Sequence, residues 1–189
     1  MSVREQVSGG DLTGPNEREL AEQAFEALDS EDASSRQWPA VADRIRAARQ
    51  RGGLTGAQVA EQVGITSGSY YDVEARDDET FTVLSIADIV RLGKVLNLSL
   101  GELLFGRSGP EKQGVTFAEI ADRLRNRLAA SGLSVEEFGE KVGWGVGDVL
   151  SNPEALWEFN LVGLRDVSKV ADVDWVAALP DPHSRPPSA

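Results

Sequence analysis

The chain has 189 residues, a formal net charge of −12, 41% hydrophobic and 6% aromatic side chains, and no cysteine. That length holds one large domain or two small ones, and the scarcity of aromatics and β-branched runs excludes a large sheet. The missing cysteines exclude a disulfide framework, a thiolate metal site and a cysteine nucleophile.

The negative charge is unevenly spread. Residues 1–37 carry 3 basic and 9 acidic side chains, residues 38–107 carry 8 and 9, and residues 108–179 carry 7 and 12. The middle segment is thus nearly neutral, without the basic excess usual in a domain that grips phosphates. No apolar stretch is long enough to span a membrane. Met1 to Gly10 lacks the basic-then-apolar order of a signal peptide. A soluble, cytoplasmic protein is expected.

Residues 1–36 read as an acidic, partly disordered segment with one short helix. Asn16 and Glu19 form its capping box, and Leu20, Ala21, Ala24, Phe25 and Leu28 share one face. That helix either docks on its own domain or offers an acidic amphipathic face to a protein partner through residues 16–28.

Residues 37–106 read as a compact domain of five helices. The first runs from about Pro39 to Arg51, with Val41, Ile45 and Ala48 inward, and ends at Gly52-Gly53. Thr55 and Gln58 open the second as a capping box, with Val59, Ala60 and Val63 inward. Gly64 supplies a turn needing positive φ, and Thr66 or Ser67 caps a third helix with Tyr70 and Val73 in phase. A polar loop is expected from Arg76 to Thr82. Ser85 and Asp88 then start a helix with Ile86, Ile89, Val90 and Val95 inward, and Ser99 to Glu102 opens a last one ending at Phe105. Residues 107–114 form a linker.

The pattern then returns. Ala42-Asp43-Arg44-Ile45-Arg46 reappears as Ala121-Asp122-Arg123-Leu124-Arg125, Gly53-Leu54-Thr55 as Gly132-Leu133-Ser134, and Val63-Gly64 as Val142-Gly143, all 79 residues on. Lys94-Val95 matches Lys169-Val170 at an offset of 75, which makes the middle loop four residues shorter. Residues 115–179 therefore read as a second, degenerate copy, and residues 180–189 as a disordered tail. The expected fold class is all-α, as tandem five-helix units.

Leu54 to Ala60, Gly64-Ile65-Thr66 and Tyr70 to Glu74 together resemble the helix-turn-helix of Cro/C1-type (XRE-like) repressors, in a lambda-repressor-like fold. The resemblance implies that the third helix enters a DNA major groove. It carries over Thr55, Gln58, Thr66, Ser67, Gly68, Ser69, Tyr71, Asp72, Arg49 and Arg76 as DNA-contacting positions. It also implies a structural pair between Arg49 and Glu74. Double-stranded DNA, as a palindromic operator, and a homodimer are the implied partners.

The sequence departs from the family at several points. Gly56 stands where a phosphate-gripping glutamine is common, and Asp77, Asp78 and Glu79 fill a stretch that is usually basic. Arg44, Arg46, Arg49, Arg51 and Arg76 are the cations left for phosphates. In the second copy, Leu128 and Pro153 replace the pair, and Gly143 to Asp148 has no basic residue. That copy is expected to serve dimerisation or partner binding.

Gly143-Trp144-Gly145-Val146-Gly147 follows a helix, not a strand, and is no phosphate loop. His183 is the single histidine, too few for a catalytic triad or a two-histidine metal site. No enzymatic activity, cofactor or metal is expected. The function expected is a sequence-specific DNA-binding transcriptional regulator. The alternative is a protein-partner-binding module of the same fold, such as an antitoxin or regulatory adaptor.

Overall fold

The structure, a computed structural model, describes residues 40–106 and 114–180. The readings on residues 1–36, on the linker from 107 to 113 and on the tail from 181 lie outside the described residues. Among the described residues, every regular element is helical, and no helix is long and apolar enough to cross a membrane. The all-α fold class holds.

In the first half, α1 spans Val41–Arg51, α2 Gly56–Val63, α3 Ser67–Ala75, α4 Glu79–Thr82, α5 Ile86–Leu96 and α6 Leu100–Phe105. Local chemistry sets the starts. Thr55, Ser85 and Ser99 each close a reciprocal capping box with Gln58, Asp88 and Glu102, while Thr66 accepts from the Ser69 amide. Each such cap contributes about 1 kcal/mol. Gly64 ends α2 at φ 86° and φ of 53° at Asn97 ends α5, both left-handed. Val41, Ile45, Val59, Val63, Tyr70, Val73, Phe81, Ile89 and Leu92 bury their side chains between these helices.

Two expectations change. The stretch from Arg76 to Thr82, read as a polar loop, contains α4, and Glu79, Thr80 and Phe81 are buried there. Phe81 anchors the segment inward, and Arg76 pairs with the Glu79 carboxylate, which makes its burial tolerable. Val95, read as inward, is only partly buried, packed against the edge of the core.

In the second half, α7 spans Phe117–Ser131, α8 Val135–Val142, α9 Gly147–Ser151 and α10 Leu161–Ala171, with a 3₁₀ turn at Pro153–Glu158. Thr116 and Ser134 open α7 and α8 with capping boxes. Pro153 stops α9 early by forcing Asn152 into extended geometry, φ −142° and ψ 100°. Trp157 and Trp175 are buried, and Trp144 packs edge-on against Phe159 with ring centroids 6.0 Å apart.

The halves share one continuous apolar core. Its seam is made by α4 against α10 and by α5 against the 3₁₀ turn. The Ile86 amide donates to the Phe159 carbonyl at 2.8 Å, and Asn160 Nδ2 donates to the Thr82 carbonyl at 2.6 Å. Phe105 meets Trp175 edge-on at 6.3 Å. No comparable contact joins α2 or α3 to the second half.

Candidate nucleic-acid interface

Helices α2 and α3 are joined by a three-residue turn, Gly64-Ile65-Thr66. The amides of Gly64 and Ile65 both donate to the Ala60 carbonyl, at 2.9 and 3.0 Å. Ala60 is buried, and its small side chain lets the helices close on each other. Tyr70 and Val73 pin α3 to the core, leaving its opposite face to solvent.

That face carries Ser67, Gly68 and Tyr71, all exposed, with Ser69 and Asp72 partly exposed beside them. Tyr71 is 73% exposed, the largest aromatic surface offered among the described residues. Thr66 Oγ1 is occupied locally by the Ser69 amide at 3.0 Å and the Ser69 hydroxyl at 2.9 Å. Gln58 accepts from the Thr55 amide through Oε1 at 2.8 Å, so its amide nitrogen points away and can still donate. Thr55 is taken up by the same capping box. Thr55 and Thr66 therefore shape the surface, whereas Gln58, Ser67, Gly68, Ser69 and Tyr71 present groups to it.

Arg49 holds Glu74 with both arms of its guanidinium: Nε to Oε1 at 2.6 Å and Nη2 to Oε2 at 3.1 Å. Tyr70 donates its hydroxyl to the same carboxylate at 2.8 Å. Burial pushes the Glu74 carboxyl upward in pKa, but the bonds from Arg49 and Tyr70 outweigh it and hold the group below the usual carboxylate range. Burial and the Glu74 bond push the Tyr70 phenol well above its ordinary value. This triad fixes the end of α3 to α1.

The five arginines read as free for phosphates are not equally free. Arg44 donates to the carbonyls of Leu103 and Leu104 at 2.9 and 2.7 Å, tying α1 to α6. Arg46 donates to the Glu74 carbonyl and pairs with Asp43. Arg76 pairs with Asp72 at 3.2 Å and with Glu79. Of the five, only Arg51 has neither a carboxylate nor a carbonyl partner among the described residues. The reading of all five as available is corrected: carboxylates and carbonyls claim four of them.

The same bonds soften the acidic stretch. Asp77 accepts from the Ala42 amide at 2.8 Å and so satisfies an orphan donor at the start of α1. Glu79 is buried against Arg76, and Asp72 is paired with the same side chain. Gly56 also has a packing cause. A Cβ there would lie 3.3 Å from the Tyr70 ring, tighter than most such contacts.

Local sequence signals do not find Arg46, Arg44 or Asp77 as structural ties, because their partners lie 28 to 60 residues away. In the second half, Arg125 donates to the Leu150 carbonyl at 2.7 Å, a comparable tie from α7 to the end of α9.

No curated protein and no solved structure matches the chain. Residues 40–104, about a third of the sequence, match the family model described as a helix-turn-helix domain. The match and the geometry of α2 and α3 identify residues 40–104 as a helix-turn-helix domain, the kind of unit that DNA-binding regulators in general carry.

Proposed function

We propose that the chain is a sequence-specific DNA-binding transcriptional regulator that reads the major groove with α3. The observation that carries this is the exposed rim of Ser67, Gly68, Ser69 and Tyr71 on a helix whose nearby carboxylates, Asp72 and Glu74, are each neutralised by an arginine. Serine hydroxyls accept or donate at base edges, and an exposed tyrosine offers apolar contact to a thymine methyl. Gly68 allows close approach, since its Cα carries nothing toward the groove. In this reading Arg51 meets phosphate unpaired, whereas Arg49 and Arg76 do so while still bound to Glu74, Asp72 and Glu79.

Residues 115–179 act in this reading as a degenerate second copy of the unit. Support comes from left-handed glycines at corresponding places: Gly53 and Gly64 in the first half, Gly132 and Gly143 in the second. The second segment, Gly143 to Asp148, brings no cation and no base-reading amide to DNA.

A second reading has one specific support. From Gly52 to Ala75 the chain has no lysine or arginine, so α2 and α3 themselves attract no phosphate. A protein-binding module of this fold would have that character.

Selection from a random duplex pool at low salt separates the two. The regulator reading expects one enriched motif, bound about tenfold more weakly by Tyr71→Ala with unchanged melting temperature. A pool that shows no enrichment contradicts it and leaves the protein-binding module.

A further inference from the structure

The seam between the halves has a property that packing alone does not require. The helix α5 and the helix α10 occupy corresponding places 75 residues apart, Ile86–Leu96 and Leu161–Ala171. Both end on the two non-glycine residues with positive φ among those described, Asn97 at 53° and Asp172 at 57°. Both ends close the same way: the Leu98 amide reaches the Gly93 carbonyl and the Val173 amide the Ser168 carbonyl, each at 2.9 Å. At the same offset, α4 corresponds to the 3₁₀ turn.

Against that correspondence, the seam is reciprocal. Helix α4 packs on α10, the counterpart of α5, while α5 packs on the 3₁₀ turn, the counterpart of α4. The N-caps Ser85 and Asn160 correspond as well, and they lie at the crossing point. There the Ile86 amide reaches the Phe159 carbonyl at 2.8 Å and Asn160 Nδ2 reaches the Thr82 carbonyl at 2.6 Å. A contact in which patch i meets patch j while j meets i is the signature of a two-fold interface between identical subunits.

We infer that the chain is an internal pseudodimer: its second half occupies, in cis, the α4–α5 surface on which a second copy would otherwise pair. This rests on the duplication reading above. The two-copy assembly on a palindrome expected from sequence is then replaced by one chain on one half-site. That complex has a competent reading head, α3, and a silent counterpart, α9, which begins at the last glycine of the glycine-rich Gly143 to Gly147. Since α3 is absent from the seam, internal pairing leaves it free to bind.

Two measurements on the full chain without DNA test the pairing. Sedimentation equilibrium from micromolar to near-millimolar concentration should return the single-chain mass of 20.3 kDa. Amide exchange by NMR should protect Ile86, whose N–H at the first position of a helix has no intrahelical acceptor, at least about a hundredfold over an unstructured amide. A stable dimer, or an Ile86 amide that exchanges as freely as in a peptide, overturns the inference. Neither result depends on DNA recognition, so their failure is separate from failure of the regulator reading. With DNA, the complex should be one to one. Scrambling one half of a selected site should abolish binding, and scrambling the other half should change it less than threefold. Equal sensitivity of both halves overturns the pseudodimer.

Discussion

At Glu74 three groups converge: the Arg49 fork and the Tyr70 hydroxyl on its carboxylate, and Arg46 on its main-chain carbonyl. The carboxyl is held below its ordinary pKa, so near pH 4 the folded chain binds fewer protons than the unfolded one. Its contribution is therefore complete above the unfolded value of about 4.3 and disappears as pH falls through the lower folded value. Glu74→Gln should lose about 2 kcal/mol at pH 7 and flatten the acid side of the stability profile, measured by urea unfolding between pH 3 and 7. A variant as stable as the parent at neutral pH contradicts the role given to the triad. Arg49 and Glu74 were legible because a resemblance supplies their positions. The Arg46 and Asp77 ties were not, since a carbonyl or amide partner 28 or 35 residues away leaves no mark in sequence.

For the helices, the contrast between two glycines separates folding from recognition. Gly64 has φ 86° with open space around it, so Gly64→Ala pays only backbone strain, about 1 kcal/mol. Gly68 lies in the first turn of α3, where a Cβ would sit in ordinary contact, 3.7 Å from Thr66 Oγ1. Gly68→Ala should keep or raise the melting temperature while weakening DNA binding. Thermal unfolding alongside a binding titration checks both, and a Gly68→Ala chain that binds DNA as tightly as the parent removes that glycine from the interface. Helix starts were readable in sequence because capping boxes are local, as at Thr55, Ser85, Ser99 and Ser134. Helix α4 was not. Its single large apolar residue, Phe81, gives no periodicity, and part of what orders the segment is α10, far along the chain.

For the whole molecule, a net charge of −12 meets a polyanion through a domain with few free cations. Affinity should then fall with salt at a modest slope, about −2 to −4 in log–log terms, from two to four neutralised phosphates. A slope near −8 would mean that cations outside the described residues dominate. The pairing of halves was legible only as a repeated sequence, because a periodic echo says that two units exist and not which faces they bury.

The most direct test places a charge on the reading face without disturbing the fold. Ser67 is exposed at the first turn of α3, where a carboxylate suits the helix dipole but opposes a phosphate. Against the selected duplex, polarisation titration of Ser67→Glu should show at least a tenfold loss of affinity with a melting temperature equal to or above the parent's. Undiminished binding by Ser67→Glu would mean that α3 does not face DNA.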